Sequence, residues 1–377
     1  MIYLDNAATT FIHPEVIEAI KDSLGNTKGN PSSVHELGFK ATREWNAVKD
    51  RIGAIFNVSK KHLIFNSSGT EANNIVIQGR YFKTPSLRFI TTQTEHSSVL
   101  NTFKAIEARG ADVVYLDVDE EGFIDLSALK KALKKAPTSL VSILHTNNET
   151  GVIQDIDAIT RLAHAHGALV HYDMVQVLMH DSVDLNAMNC DFATFSAHKF
   201  FGPKGVGLTY IKDHASILPH TVGGSQEYRL RAGTPNLSFA LGFVRALELT
   251  EAHRQSWQET IDRLAHALIK KLEASNLDYT LNGPPLEGQR IPGTLNIAFK
   301  DLDAIDLRFF LNDHDIYLSL GSACDAESMH ASHVLRAMFK EDEARINSSV
   351  RISFSPDITD SDLDTLVKTI ETFKKSA

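Results

Sequence analysis

Short, mainly apolar runs alternate with amphipathic stretches through the middle of this chain, and that alternation restricts the folds it can adopt. The runs at 140–144, 168–172 and 192–195 have the length of strands. The segments between such runs, for example 156–166, carry apolar residues every three or four positions, as helices do. Strands that are apolar on both faces are buried between layers of helices in parallel sheets. We therefore predict an α/β fold with a mostly parallel sheet.

The last third of the chain has a different pattern. A long helical segment at 237–274 precedes strand-like runs that are separated by short helical stretches. The length of 377 residues is enough for one large domain and one smaller domain. We predict a large domain at 15–250 and a small α+β domain formed by 1–14 together with 251–377.

Composition argues against several classes of function. The formal net charge of −9 disfavours general binding to nucleic acids, whose backbone is also negative. No apolar run approaches the ~18 residues of a membrane helix. The first residues lack the features of a signal peptide, and His and Cys are not spaced as in zinc sites. Two cysteines, Cys190 and Cys324, cannot form a disulfide framework, so we expect a cytoplasmic protein without a metal.

Polar side chains follow four of the predicted strands at the point where each strand ends. In an open α/β sheet, ligands bind at the carboxyl ends of the strands. The segment 196–205 is the most distinctive, because a serine, a histidine and a lysine precede a turn rich in glycine and proline. The candidates at the four strand ends are His96, Asn148, Asp173, Gln176, Ser196, His198 and Lys199.

Lys199 and Asp173 have the most specific chemistry among these candidates. A lysine amine can form a Schiff base with an aldehyde cofactor, and pyridoxal phosphate also needs a carboxylate beside its ring nitrogen. The alternatives are a surface lysine in a Gly/Pro loop and an acidic residue in a turn. Each cofactor interpretation strengthens the other when the two residues are taken together.

The phosphate of such a cofactor needs hydrogen-bond donors. Gly69 and Thr70 lie in a small-residue turn between a strand and a helix, where backbone N–H groups can bind an anion. Ser196 and His198 could add side-chain donors. The alternative is an ordinary Ser/Gly-rich helix cap.

Three more strand-end residues could contact the cofactor ring. Gln176 or Asn148 could hydrogen-bond the ring oxygen, and His96 could stack on the ring or move protons. A histidine at a strand end is otherwise often structural.

Cys324 and Arg351 complete the set of candidates. Cys324 lies in the small, polar segment 321–328, which predicts an exposed loop, whereas Cys190 precedes a strand and is expected in the core. Arg351, on a late strand, could bind a substrate carboxylate through two of its guanidinium nitrogens. A structural salt bridge is the alternative for Arg351.

In these residues and their order, the chain resembles the cysteine desulfurases, which are class-V members of the aminotransferase-like fold. The resemblance covers nearly the whole chain. Each motif alone is modestly specific, and the ordered set is highly specific. The segments that carry it are 3–10, 30–35, 68–74, 95–96, 147–151, 173–176, 196–199, 231–234 and 322–324.

The resemblance implies a fold and an activity. The fold would be that of fold type I pyridoxal-phosphate enzymes, with a seven-stranded sheet in the large, cofactor-binding domain. The enzyme would remove sulfur from L-cysteine, release L-alanine and carry the sulfur as a persulfide on Cys324, in the small domain. Its acceptors would belong to iron–sulfur cluster assembly or tRNA thiolation. The Ser-Ala-Cys sequence at 322–324 resembles the subgroup with a long cysteine loop.

The resemblance also implies roles for individual residues. The catalytic set would be Cys324, Lys199 and His96. The cofactor-binding set would be Gly69, Thr70, His96, Asn148, Asp173, Gln176, Ser196, His198, Lys199 and Thr234. Of these, Thr234 would reach the phosphate of the neighbouring subunit in a homodimer. Arg351 would bind the substrate carboxylate, with contacts from the region of Asn30.

Two alternatives stay open on the sequence alone. A selenocysteine lyase or another class-V aminotransferase-like enzyme would share the cofactor site, and an inactive homologue could serve as an assembly platform. The chain departs from the family pattern at Met174, His180 and Asp325. These departures bear on turnover and acceptor choice, because a carboxylate beside Cys324 disfavours its thiolate.

Overall fold

The computed structural model describes residues 1–321 and 332–376. The strands are β1 (Ile2–Tyr3), β2 (Leu63–Asn66), β3 (Arg88–Thr92), β4 (Asp112–Leu116), β5 (Thr138–Leu144), β6 (Leu169–Asp173), β7 (Phe192–Ser196), β8 (Gly207–Ile211), β9 (Tyr279–Asn282), β10 (Thr294–Phe299), β11 (Ile316–Tyr317) and β12 (Ser349–Ser353). The α-helices are α1 (Pro14–Asn26), α2 (Glu36–Ile55), α3 (Gly69–Lys83), α4 (Ser97–Glu107), α5 (Leu126–Lys135), α6 (Ile156–His164), α7 (Leu185–Met188), α8 (Leu237–Glu273), α9 (Ala304–Asp313), α10 (His333–Phe339), α11 (Glu343–Asn347) and α12 (Asp360–Ser376).

A seven-stranded sheet in the order β2-β8-β7-β6-β5-β3-β4 forms the centre of the larger part of the molecule. Adjacent strands from β7 through β4 are parallel, and β8 alone runs antiparallel to its two neighbours. All residues of β5 and β7 are buried, as their continuous apolar runs predict. The predicted α/β class with a mostly parallel seven-stranded sheet is confirmed.

Helices cover both faces of this sheet. One apolar cluster packs α3 and α4 against the sheet through residues such as Ile75, Phe103 and Phe192. The larger cluster joins the opposite face, through Val170 and Phe195, to α2, α6 and α8. Because side chains alternate along β6 and β7, Asp173 and Ser196 face the side on which α3 lies.

The C-terminal part contains a small antiparallel sheet, β12-β10-β9, and it also receives the start of the chain. β1 pairs with β11 in parallel register, and Asp5 bridges to Ser353 in β12. The division into a large domain at 15–250 and a small domain at 1–14 and 251–377 stays a prediction.

The longest helix, α8, has 37 residues and packs against α1, α2 and α12, so it contacts both the N-terminal and C-terminal parts of the chain. Its buried residues fall in two blocks, from Leu237 to Thr250 and from Ile261 to Leu272. Across the described residues, no helix combines the length and apolarity required to cross a bilayer.

Candidate active site

An open cavity lies where β6 and β7 end and α3 begins. It collects side chains from every one of the four strand ends that the sequence singles out. The predicted site residues that line it are Gly69, Thr70, His96, Asn148, Asp173, Gln176, Ser196, His198, Lys199 and Arg351.

Lys199 reaches the cavity from a 3₁₀ turn, Ala197–Lys199, directly after β7. Its Nζ donates to the carbonyl oxygens of Ala7, at 2.6 Å, and Ala8, at 2.8 Å. The turn needs glycine at position 202, because a Cβ there would lie 2.7 Å from the Cβ of Ala197. The local backbone and the N-terminal segment together therefore fix where the amine sits.

Asp173 is the last residue of β6 and is only 3% exposed. Its Oδ1 accepts the backbone N–H of Val175 at 3.1 Å, and its Oδ2 accepts the side-chain amide of Asn73 at 2.8 Å. Both donors are neutral amides. The carboxylate therefore retains its capacity to pair with a positively charged group of a ligand in the cavity.

The N-terminus of α3 forms part of the cavity wall beside Ser196. Ser68 caps the helix by accepting the N–H of Glu71, while the N–H groups of Gly69 and Thr70, in the first turn, have no acceptor one turn back in the helix. Ser196 Oγ is buried there and has no hydrogen-bond partner among the described residues. A Cβ at position 69 would lie 3.0 Å from Val175 Cγ2, so the glycine keeps the cradle open. These groups fit an anion such as a phosphate.

His198 adds a neutral imidazole to the site. Burial, together with the nearby positive charge of Lys199, lowers the pKa of His198 to about 3. Its Nδ1 lies 3.2 Å from Thr9 Oγ1. An uncharged ring can still donate one hydrogen bond, which suits a phosphate ligand.

Gln176 and Asn148, the two residues predicted to contact a ring oxygen, both line the cavity. The Nε2 of Gln176 donates to the carbonyl of Ala7 at 2.9 Å, the same oxygen that accepts from Lys199. The main-chain oxygen of Asn148 accepts from Arg351 at 3.3 Å.

Arg351 forms the salt bridge that the sequence leaves open as an alternative, and its role in substrate binding stays a prediction. It is almost fully buried on β12, and its Nη2 forms an ion pair with Asp5 at 2.6 Å. It also lines the cavity, and its Nε has no hydrogen-bond partner within the described part of the chain. The guanidinium is thus held by Asp5 while it forms part of the cavity wall.

Two predicted residues, Asn30 and Thr234, do not line this cavity. Asn30 is exposed in the loop before α2, where its Oδ1 accepts the N–H of Ser32. Thr234 is also exposed. Arg231, three residues before Thr234, forms an ion pair at 2.8 Å with Glu71 in the first turn of α3. Their roles in a dimer and in substrate binding stay predictions.

Cys324 lies outside the described residues, as does the departure at Asp325. The residues on either side of the gap can be placed. A Cβ at Gly321 would lie 3.0 Å from Glu149 Oε2, and the hydroxyl of Ser332 donates to the same oxygen. His333 Nε2 lies 2.9 Å from the carbonyl oxygen of Glu95. The residues on both sides of the gap therefore contact Glu149 or Glu95. Glu149 and Glu95 are next in sequence to Asn148 and His96, which line the cavity.

The structure also brings in residues to which sequence reasoning gives no role. Ala7 and Ala8 contribute only main-chain oxygens, for which a sequence carries no signal. Asn73 and Ser98 line the cavity and hydrogen-bond to each other at 2.8 Å. Asn73 lies within the motif 68–74, but nothing in that motif indicates a buried amide.

Comparison with known proteins places this fold and site in a class. The profile of the family described as Aminotransferase class-V matches residues 2–366. The chain belongs to this family.

The similar proteins narrow that class. A protein of Dictyoglomus turgidum named cysteine desulfurase IscS is 36% identical over 372 residues, which cover 98% of this chain and 93% of that protein. A cysteine desulfurase of Trichormus azollae is 36% identical over 369 residues, covering 98% and 91%. A solved structure named NifS-like protein has a TM-score of 0.92 at 32% identity and covers all of both chains. A structure described as SspA in complex with cysteine has a TM-score of 0.83 at 29% identity and covers 94% of this chain and 99% of the other. Within the family, this chain groups with the cysteine desulfurases.

Proposed function

We propose that this protein is a cysteine desulfurase that takes sulfur from L-cysteine onto Cys324. In this reaction the C–S bond of the substrate breaks, and its carbon keeps the electron pair, gains a proton and leaves as L-alanine. The sulfur is bonded to the Cys324 thiolate as a persulfide. The observation that carries the proposal is the convergence of Lys199, Asp173 and Ser196 on one cavity, where the Ser196 hydroxyl has no hydrogen-bond partner in the part of the chain that the structure describes.

The cofactor we propose is pyridoxal 5′-phosphate, because the residues present fit its parts. Lys199 would bind the aldehyde carbon and Asp173 the ring nitrogen. When bound, the cofactor supplies an electron sink for the substrate carbon. The phosphate would be held at the start of α3 by Gly69, Thr70, Ser196 and His198.

The chain's own residues would then divide the remaining tasks. The Lys199 amine, which the carbonyls of Ala7 and Ala8 hold at the cavity, would move the proton at the substrate α-carbon. Arg351 would bind the substrate carboxylate. His96, which lines the cavity, would assist proton transfer. The placement of Gly321 and Ser332 against Glu149 supports Cys324 as the sulfur acceptor, because that segment begins and ends beside the cavity.

We further propose a homodimer in which Thr234 reaches the phosphate of the other subunit. Its exposure supports this role, as do apolar side chains that a second copy would cover, including Phe11 at 60%, Val34 at 89% and Val222 at 80% exposure. The final sulfur acceptor would be a protein of iron–sulfur cluster assembly or of tRNA thiolation.

The test compares the two cysteines of the chain. The wild-type protein, loaded with pyridoxal phosphate and given L-cysteine, should form alanine and a persulfide that mass spectrometry locates on Cys324. Cys324→Ala should keep the cofactor absorbance and lose the persulfide. Cys190→Ala is the matched control, because Cys190 is fully buried and burial raises its pKa to about 12. Alanine production by Cys324→Ala at the wild-type rate would contradict the proposed role of Cys324. A protein that stays colourless with added cofactor would contradict the enzyme class and favour an assembly platform.

A further inference from the structure

A chain of hydrogen bonds connects Asp173 to His96 through two residues to which the proposed function gives no role. Asn73 Nδ2 lies 2.8 Å from Asp173 Oδ2 and 2.8 Å from Ser98 Oγ. Ser98 Oγ lies 2.8 Å from His96 Nδ1. These hydrogen bonds join the end of β6 to α3 and to the start of α4. Asn73 and Ser98 are 1% and 8% exposed, so water competes little for these bonds.

The direction of each bond follows from what its atoms can do. The Asp173 carboxylate can only accept, so an amide nitrogen of Asn73 must face it. The second hydrogen of the same nitrogen then points at Ser98 Oγ, which accepts it. The Ser98 hydroxyl hydrogen is left to donate to His96 Nδ1.

A second donor fixes the state of the same ring nitrogen. The backbone N–H of Ser98 donates to His96 Nδ1 at 3.1 Å, because His96 is the N-cap of α4. A nitrogen that accepts two hydrogen bonds carries no proton. The neutral ring must therefore carry its proton on Nε2, and His96 lines the cavity as a donor.

The oxygen of the Asn73 side-chain amide differs from its nitrogen. Its Oδ1 is buried and has no hydrogen-bond partner among residues 1–321 and 332–376. An unsatisfied buried oxygen is unfavourable. Asn73 is therefore oriented so that both of its donors are used while its acceptor is not.

We propose that Asn73 and Ser98 are positioning residues that tie the imidazole of His96 to the carboxylate of Asp173 and hold its Nε2–H tautomer. This inference rests on the proposed function, since it assigns His96 and Asp173 their places at the cofactor ring. These hydrogen bonds set the histidine and the carboxylate at fixed positions relative to each other.

The first experiment reads the tautomer directly, in protein free of cofactor and substrate. Protein carrying ¹⁵N-labelled histidine is studied by NMR, and the His96 signals are assigned by their absence in His96→Gln. We expect an unprotonated Nδ1 and a protonated Nε2 in the neutral ring. A ring protonated on Nδ1 would overturn the inference.

The second experiment removes the hydroxyl. Ser98→Ala should shift the His96 nitrogen signals and lower kcat about tenfold with KM little changed, as expected for the loss of one buried hydrogen bond. Ser98→Thr, which keeps a hydroxyl, should restore both. Ser97→Ala, one residue earlier and not part of these hydrogen bonds, should change neither the His96 signals nor kcat. Identical His96 signals in Ser98→Ala and the wild type would overturn the inference.

The third variant, Asn73→Asp, replaces the two amide donors by acceptors at nearly constant shape. Since two carboxylates would then adjoin, the affinity of the apoprotein for pyridoxal phosphate should fall at least tenfold in a fluorescence titration. Unchanged affinity would count against the role of Asn73. If the wild-type protein fails to convert cysteine, the proposed function fails, while the NMR experiment still decides the tautomer.

Discussion

Replacing Glu227 with glutamine should destabilise the protein far more than an ordinary charge substitution. Glu227 lies in the turn Gln226–Arg229, and its carboxylate is 2.9 Å and 3.1 Å from Lys49 Nζ in α2. The side chains of the pair are only 3% and 5% exposed. The backbone N–H of Phe65 also donates to Glu227, at 2.8 Å. The pair thus anchors a turn in which Glu227, Tyr228 and Arg229 all have positive φ, at 42°, 57° and 67°.

The size of the effect follows from the burial. Breaking a buried ion pair by removing one partner costs about 3–5 kcal/mol, because the other charge is left without compensation. With an unfolding entropy of about 2.1 cal/mol/K per residue over 377 residues, about 0.8 kcal/mol corresponds to 1 °C. We therefore expect Glu227→Gln to lower Tm by roughly 4 to 6 °C in calorimetry of the cofactor-free protein.

Controls separate this effect from a general loss of charge. Glu18→Gln removes the partner of Lys21 from a pair that is 65% and 62% exposed, and should lower Tm by about 1 °C or less. The double variant Lys49→Met/Glu227→Gln also removes the buried charge of Lys49, so its Tm should be closer to that of the wild type. Burial lowers the pKa of Lys49, and Glu227 opposes that shift. Without the Glu227 carboxylate, the lysine should lose its proton more easily. The loss of stability in Glu227→Gln should therefore become smaller as pH rises. Equal Tm shifts for Glu227→Gln and Glu18→Gln would refute this reasoning.

Three further outcomes can be measured. Burial raises the pKa of Glu95 to about 8, whereas the unfolded state releases this proton above about pH 4.5. Between these two pH values only the folded state holds the proton, so wild-type stability should fall as pH rises from about 4.5 to about 8. Glu95→Gln resembles the protonated acid, so its free energy of unfolding in urea titrations should depend less on pH. The same pH dependence in the variant and the wild type would contradict this prediction. Arg351→Lys keeps the charge but loses the planar fork, so KM for cysteine should rise about tenfold with the cofactor absorbance unchanged; an unchanged KM would remove Arg351 from substrate binding. Gly202→Ala should cost about 1–3 kcal/mol in urea unfolding, because its Cβ would overlap Ala197, and no loss would show that the turn can adjust.

The central sheet could be predicted from sequence because its strands, apart from β4 at the edge, are largely buried on both faces. The run 140–144 falls within β5, and the run 192–195 falls within β7. β9 escaped prediction because Tyr279–Asn282 is a partly exposed edge strand with no continuous apolar run. Helices α7 and α11, with four and five residues, are too short to show a helical period.

The candidate site was predictable where side chains carry the chemistry. Lys199, Asp173 and Ser196 follow strands, and the topology of a parallel sheet brings strand ends together. The partners that fix them were not predictable. The carbonyl of Ala7 has no residue-type signature, and the buried Asn73 is followed directly by a second asparagine, Asn74, which is not buried. The ion pair between Arg351 and Asp5 joins residues separated by 346 positions, a distance over which one sequence carries no pairing information.

That long-range closure has a consequence for how the protein is made. The carbonyls that hold Lys199 belong to a segment whose neighbours, β11 and β12, are synthesised after all seven strands of the central sheet. Until β11 and β12 have been made, residues 1–8 lack these pairing partners, and the lysine lacks the geometry seen in the folded protein. Binding of pyridoxal phosphate should therefore follow the synthesis of β11 and β12.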